Sequence, residues 1–341
     1  MAGKRQHFIP QFLQQGFASH TSGEATFTWV YRKGTPPFNA NIINVGVEGR
    51  FYTEGDDTQA DDSITDAENR FGELVRRLRA GRQPNTSPLE IAELIAHLEI
   101  RTRHLRQSLL SSADFFVSRL IDFMADEHAF LPYLERQLRR DPSSVRQSVS
   151  EMLTRRGLPQ TVLQQFTHLS VALLPGFIKP LLPQFAAALR ANLPTMLRDA
   201  AKSGHVRALK ETVAPKPRTD RYKTLEYSVV EVTDESLILG DSPVLFRVQG
   251  PRPYKTFLEK DDDLSAVVLP LSPQQVLIGS NRCLGAPPSG LCQATARCSL
   301  EYFIAAERSE ANILLGDMIG EDAVLLTRAQ LEQIVTDVME K

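Results

Sequence analysis

The sequence predicts an α+β fold: a small N-terminal β region, a helical middle, and a C-terminal β-rich segment with helices, packed as one domain. Three observations carry this. Thr26-Phe27-Thr28-Trp29-Val30-Tyr31 alternates and is rich in β-formers. From Asp61 onward, apolar residues recur at helical spacing as far as about Ser203. After Ala214-Pro215-Lys216-Pro217-Arg218, β-branched and apolar runs return, punctuated by Pro and Asp-Ser. The main domain is expected over residues 1–313 (1–60 β, 61–210 helical, 222–313 β-rich then helix), with 314–341 a C-terminal helical extension.

The chain opens on Arg5-Gln6-His7-Phe8-Ile9-Pro10-Gln11-Phe12-Leu13. Pro10 holds Ile9 extended and suits the start of a short helix through about Phe17. His7 and Ile9 then share one face, with Phe8 on the other. Lys33-Gly34-Thr35-Pro36-Pro37 reads as a turn, and Asn41–Tyr52 as a second extended region ahead of a turn at Gly55-Asp56-Asp57. A helix spans Asp61–Ala80 and stops at Gly81. Ser87-Pro88-Leu89-Glu90 starts the next, with Ser as N-cap, Pro in the first turn and Glu three residues on. This helix is expected to run to Leu110 or on to Met124. Further helices are expected at Ser143–Arg156, Pro159–Leu174 and Lys179–Ser203, the last kinked at Pro194. Strands follow at Leu225–Val232, Leu237–Val248 and Ala266–Ser280. Helices at Leu291–Ile313 and Arg328–Glu340 complete the chain.

The 341 residues are 42% hydrophobic and 23% charged, with a formal net charge of −2, ordinary for a globular protein. That balance argues against a chain built as a polyanion binder, though not against a local basic patch. Cys283, Cys292 and Cys298 are odd in number and form no C-x-x-C pair, which supports neither a disulfide framework nor a zinc knuckle. A reducing compartment, the cytoplasm, is the expectation. No apolar run of signal type follows the basic start. Val171–Leu189 is the most apolar stretch, but Pro175, Lys179, Pro180 and Pro183 interrupt it, so it reads as buried, Pro-broken helices.

Helical phase singles out two charges. Glu68 recurs with Ile64, Phe71 and Val75; Arg101 recurs with Leu94, Leu98 and Leu105. A charge on a buried stripe is costly unless paired. The two helices are sequential, so Glu68 and Arg101 are expected to be partly buried and paired, directly or through a shared ligand. The pair is either a structural salt bridge or an anion-orienting Arg beside a base or metal ligand. His97, Arg101 and His104, one turn after Glu93, offer a metal half-site or, more simply, a solvated face. Arg76, Arg77, Arg79 and Arg82, with Arg103 and Arg106, offer a phosphate-binding patch or plain solvated surface.

Leu237-Ile238-Leu239-Gly240-Asp241-Ser242-Pro243 reads as a strand and a sharp turn. Gly-Asp-Ser matches the nucleophile block of one esterase class, which needs a downstream Asp-x-x-His. No His follows His205, so that reading is set aside; a Ser–His pair with an upstream His stays geometrically open. Asp241 is either a carboxylate at a site edge or an Asx-type turn closing the strand. Phosphate-binding Gly loops and the H-E-x-x-H zinc motif do not occur.

The opening His7-Phe8-Ile9-Pro10-Gln11-Phe12-Leu13 resembles the N-terminal signature of the family known as domain of unknown function 4238. Trp29-Val30-Tyr31, Phe51-Tyr52, Asp66-Ala67-Glu68, Arg101 with Arg103, and Leu269-Pro270-Leu271-Ser272-Pro273 are similar to its later elements in order. Gly240 stands where the family tends to have Ser, in a Ser-Asp-x-Pro block. The resemblance spans roughly Lys4 to Ile313 and implies a shared fold without implying a reaction. It gathers His7, Glu68, Arg101 and Asp241 as the candidate catalytic set. Two functions from different classes follow. One is a hydrolase whose expected form is metal-dependent cleavage of a phosphodiester, as in a nuclease-like or defence-type effector. There His7 is general base or metal ligand, the carboxylates hold a divalent metal, and Arg101 stabilises negative charge. The other is a non-catalytic interaction protein in which the same cluster is structural and the helical middle docks a partner.

Overall fold

The computed structural model describes residues 5–52, 57, 59–81, 86–155, 169, 173–281, 288–324 and 326–339. The fold is α+β, and its contacts divide the chain into two compact units. The first comprises Met1–Leu109 with Ala201–Thr327; the second comprises Leu110–Ala200 with Arg328–Lys341. The last helix groups with residues 110–200.

In the first unit, β1 (Arg5–His7) pairs antiparallel with β5 (Val47–Gly49). Between them run α1 (Gln11–Gln14), a 3₁₀ turn through Phe17, β2 (His20–Ser22), β3 (Ala25–Arg32) and β4 (Thr35–Asn41). Phe8 and Ile9 are both buried, so the chain does not keep strict alternation after β1. The expected turn at Pro36-Pro37 is part of β4, which pairs only with β3. Proline is tolerated there because an edge strand has no ladder N–H to supply on its open side.

Helix α2 (Gln59–Arg79) and helix α3 (Pro88–Ile100) pack through Arg70–Glu93 at 3.0 Å and Arg77–Glu90 at 3.3 Å, pairs that run in opposite order along the two helices. Their buried faces carry Ile64, Phe71, Leu74 and Val75 against Ile91, Leu94, Ile95 and Leu98. Ser87 caps α3 by accepting from the Leu89 N–H, as its sequence predicts.

Helix α3 does not continue to Leu110. It stops at Arg101 (φ −93°, ψ 1°), and α4 (Arg103–Ala125) starts afresh, its Leu105 N–H held by the Thr102 hydroxyl. The carbonyls freed at the break have side-chain partners: Ile100 accepts from His205 Nε2 at 2.8 Å, and Arg101 from the Tyr52 hydroxyl at 3.2 Å. Satisfying orphan carbonyls makes a helix end inexpensive in a buried place.

The C-terminal part of this unit begins with α8 (Lys216–Tyr222), named after α5 (Glu127–Arg140), α6 (Ser143–Arg155) and α7 (Leu182–Glu211). It supplies β6 (Glu226–Glu231), β7 (Leu239–Gly240), β8 (Leu245–Val248), β9 (Tyr254–Lys255), β10 (Leu264–Ser272) and β11 (Gln275–Ser280). Among the described residues one sheet has the order β6-β11-β10-β8-β9. A second sheet, β2-β3-β12-β7, is completed by β12 (Tyr302–Ala305). The stretch expected as one helix, Leu291–Ile313, is thus α9 (Leu291–Cys298), β12, and α10 (Glu310–Asp317). Tyr302-Phe303-Ile304 are good strand formers, and pairing with β3 and β7 selects the strand.

The second unit holds α4 from Leu110, α5, α6, residues 173–178, α7 to Ala200, and α11 (Arg328–Met339). Most of the expected helix Pro159–Leu174 lies outside the described residues, as do Arg82, Cys283 and the Gly55-Asp56 turn. Phe123 meets Phe130 and Tyr133 edge-on, and Arg119 pairs with Glu332 at 3.1 Å. The apolar run expected to be buried is largely exposed: Leu173, Phe177, Leu181 and Phe185 face outward, while Leu182 and Ala186 are buried.

Candidate functional site

The geometry builds outward from Arg101. The break after α3 turns its guanidinium into the protein, where it is 1% exposed. Nε donates to the Tyr52 hydroxyl at 3.2 Å and Nη1 to His97 Nε2 at 2.9 Å. Nη2 donates to the His7 carbonyl and forms an ion pair with Glu68 at 2.5 Å. The inferred Glu68–Arg101 pair is present, and it is direct. One side chain thus ties β1, α2, α3 and the segment after β5 together. Every one of these partners belongs to the fold.

These bonds fix the histidine chemistry. Arginine only donates, so His97 Nε2 must accept, and its Nδ1–H donates to the Val213 carbonyl at 3.0 Å. Burial and the adjacent Arg101 charge hold the His97 pKa well below its ordinary value, so the ring is neutral. The same arrangement recurs at Arg106. Its Nε donates to His205 Nδ1 at 3.1 Å, its Nη2 to the Phe51 carbonyl at 2.6 Å, and its guanidinium lies 3.5 Å from the centre of the Phe51 ring. His205 donates in turn to Ile100, and burial with the Arg106 charge lowers its pKa to about 4.

A third ring, His104, is also buried. Its Nε2–H donates to the Ala323 carbonyl, so Nδ1 is the acceptor, with the Ser242 hydroxyl at 3.0 Å and the Thr256 hydroxyl at 3.1 Å both in reach of its one lone pair. The upstream Ser–His pair left open by the Gly-Asp-Ser sequence therefore exists. It carries no carboxylate behind the ring, and Ser242 is itself buried.

Asp241 is placed elsewhere. Its carboxylate accepts from the N–H groups of Leu300 at 2.8 Å, Glu301 at 2.6 Å and Tyr302 at 3.3 Å, and so closes the junction between α9 and β12. Burial outweighs these three bonds and raises its pKa to about 6. Of the four candidate residues, His7, Glu68 and Arg101 are brought together, and Asp241 makes its bonds with another junction. His7 keeps part of its ring exposed near Glu68. Burial nevertheless lowers its pKa, against the carboxylate's opposing pull, and its ring nitrogens are 3.5 Å from the Gln11 amide.

Two sequence expectations are corrected here. The His97, Arg101, His104 face is not solvated and is not a metal half-site. All three side chains are buried, and Glu93 pairs with Arg70 instead. Among the described residues no group of three His, Cys, Asp or Glu side chains is arranged to hold a metal ion. Nor do the arginines form one phosphate patch. Arg76 pairs with Glu73, Arg77 with Glu90, and Arg103 with Glu48 and Glu301. Arg79 donates to the carbonyls of Phe12, Leu13 and Leu271, and burial lowers its pKa to about 10. Gly16 permits that approach, since a Cβ there would lie 2.2 Å from the Leu271 oxygen.

Glu99 carries no motif that marks it in the sequence. It is buried on α3, accepts from the Tyr222 hydroxyl at 2.6 Å and the Leu258 N–H at 3.0 Å, and pairs with Arg218 at 3.1 Å. It lies off the Arg101 stripe, and no spacing rule points at Arg218 from so far along the chain. A cavity of about 700 Å³ beside the end of β6 is lined by Glu231, Asp234, Glu235 and Gln274 among others, and by none of the candidate residues.

A family model described as a protein of unknown function, DUF4238, matches residues 5–289. The chain belongs to that family. No curated protein and no solved structure matches it. The DUF4238 match starts at β1 and takes in His7, Tyr52, Glu68, Arg101 and Asp241. It ends before β12 and Ala323, so the partners that complete Asp241 and His104 lie beyond it. Gly240 also has a local explanation. A Cβ there would come 2.7 Å from the Ser299 hydroxyl, which donates to Thr295, so in this chain Ser299 fills the space a larger residue 240 would need.

Proposed function

We propose that this protein is a non-catalytic interaction protein of the cytoplasm. In this reading the first unit is a rigid scaffold locked by buried Arg–His pairs, and the helical second unit carries the binding surface. One observation carries the reading. In each of His97, His104 and His205 both ring nitrogens already bond to protein groups, and Arg101, itself buried, spends four of its five N–H donors on Tyr52, His97, His7 and Glu68. A general base needs a free lone pair within reach of a substrate, and a charge-stabilising Arg needs a free donor. The three histidines have no free lone pair, and burial keeps Arg101 from solvent.

The hydrolytic alternative rests on His7 beside Glu68, the part of the cluster that reaches solvent. A His7→Ala variant separates the readings when assayed with divalent metal against nucleic acid and simple phosphodiesters. The proposal expects no turnover that depends on His7. Metal-dependent cleavage abolished by the substitution would overturn the proposal in favour of the hydrolase.

A further inference from the structure

The second unit carries the most unusual surface of the chain. From Met152 to Arg198 there is no Asp or Glu, in a sequence that holds 41 acids in 341 residues. The same run contains Arg155, Arg156, Lys179, Arg190 and Arg198. Within it, Leu173 and Phe177 lie four apart in the helical residues 173–178, Leu181 ends the 3₁₀ turn Lys179–Leu181, and Phe185 lies on α7. They are 47%, 67%, 55% and 51% exposed, and Met196 farther along is 63% exposed. Leu182 and Ala186, one position on, are buried. The segment thus buries some of its apolar side chains and, beside them, leaves others about half exposed or more. No helix of the described residues is long and apolar enough to cross a membrane.

We infer that this face, Leu173 to Met196, lies against an anionic lipid surface. The inference rests on the non-catalytic reading above and names its partner. Apolar side chains flanked by cations, with no acid between them, are what an interfacial helix needs to bury its face at headgroup depth and draw on anionic lipid. A second copy of the chain fits less well. A two-fold contact sets the same patch against itself, so Lys179 and Arg190 would be brought near their own counterparts, with only Glu127 and Asp122, which they already hold, to offset the repulsion. Lys179 and Arg190 hold Glu127 at 3.4 Å and Asp122 at 2.8 Å, but all four groups are exposed. Such pairs contribute little in water, so headgroup phosphates compete for the cations.

The test is co-sedimentation of the full chain with vesicles of phosphatidylcholine containing phosphatidylglycerol, and with vesicles of phosphatidylcholine alone. Wild type is compared with Phe177→Ser/Phe185→Ser and with Lys179→Glu/Arg190→Glu. All substituted positions are exposed, and circular dichroism checks that each variant stays folded. The expected result is binding to the anionic vesicles that weakens with salt, falls at least about tenfold in each double variant, and is far lower on neutral vesicles. No binding to anionic vesicles, or equal binding to both kinds, overturns the inference. A concentration-dependent dimer abolished by Phe177→Ser/Phe185→Ser, without vesicle binding, also overturns it in favour of a second copy while leaving the non-catalytic reading standing. His7-dependent cleavage would instead remove that reading, whatever the vesicles show.

Discussion

The buried histidines make the protein sensitive to mild acid. His97, His104 and His205 all have lowered pKa values, chiefly by burial, and His205 sits at about 4. In the unfolded chain each returns to about 6.5. The unfolded state therefore binds more protons as pH falls below 6.5, and stability drops with pH down to the folded pKa values. For His205 alone the window runs from 6.5 to about 4, a loss on the order of 3 kcal/mol. Asp241 works in the opposite sense, because its folded pKa of about 6 lies above its unfolded value, so the native state takes up its proton first. Burial raises the Asp61 and Glu99 pKa values in the same sense and lowers that of His7 with the other histidines; with His205 alone worth about 3 kcal/mol, urea midpoints measured between pH 7.5 and 4.5 are expected to fall. His205→Gln, whose amide can accept from Arg106 and donate to Ile100, should flatten that slope. Ser242→Ala should cost only about 1 kcal/mol, since Thr256 still donates to His104 Nδ1. Helical phase alone identified Glu68 and Arg101 as partners. Their meeting with His97 and Tyr52 was not legible, because phase gives a face and not the backbone break that turns Arg101 inward.

At the scale of elements, the two misread junctions have the same cause. Helix α3 ends at Arg101 because Tyr52 and His205 supply hydrogen bonds to its last carbonyls, and both come from distant segments. The α9–β12 junction forms because Asp241 gathers three successive N–H groups about sixty residues away. Local propensity sees neither. The caps that are local, such as Ser87 on α3, were legible. Asp241→Ala would leave three N–H groups unpaired in a buried or half-buried place, and is expected to cost about 3 kcal/mol or more by thermal or urea unfolding. Gly240→Ala should also destabilise, by about 1–3 kcal/mol, through contact with the Ser299 hydroxyl. Combining it with Ser299→Gly should recover most of that loss, and a double-mutant cycle measures the coupling.

For the whole molecule, the order of β, helical and β-rich regions was readable from composition and period, and so was the α+β class. The pairing of the last helix with the middle was not, since α11 and α4 meet through Arg119 and Glu332, more than two hundred residues apart. The exposed apolar run was read as buried because hydropathy does not say which faces find a partner. Its missing acids carried the better signal. Together these features give a first unit tied by buried Arg–His bonds and a second unit whose helices expose apolar side chains.

Equilibrium urea unfolding of Arg101→Met tests the locked scaffold most directly. Removing the guanidinium leaves the His7 carbonyl, His97 Nε2 and Glu68 without their shared partner. The account predicts a loss of about 3–5 kcal/mol with the slope of the transition unchanged. A variant as stable as wild type would contradict it, because Arg101 would then be held in place for something other than the fold.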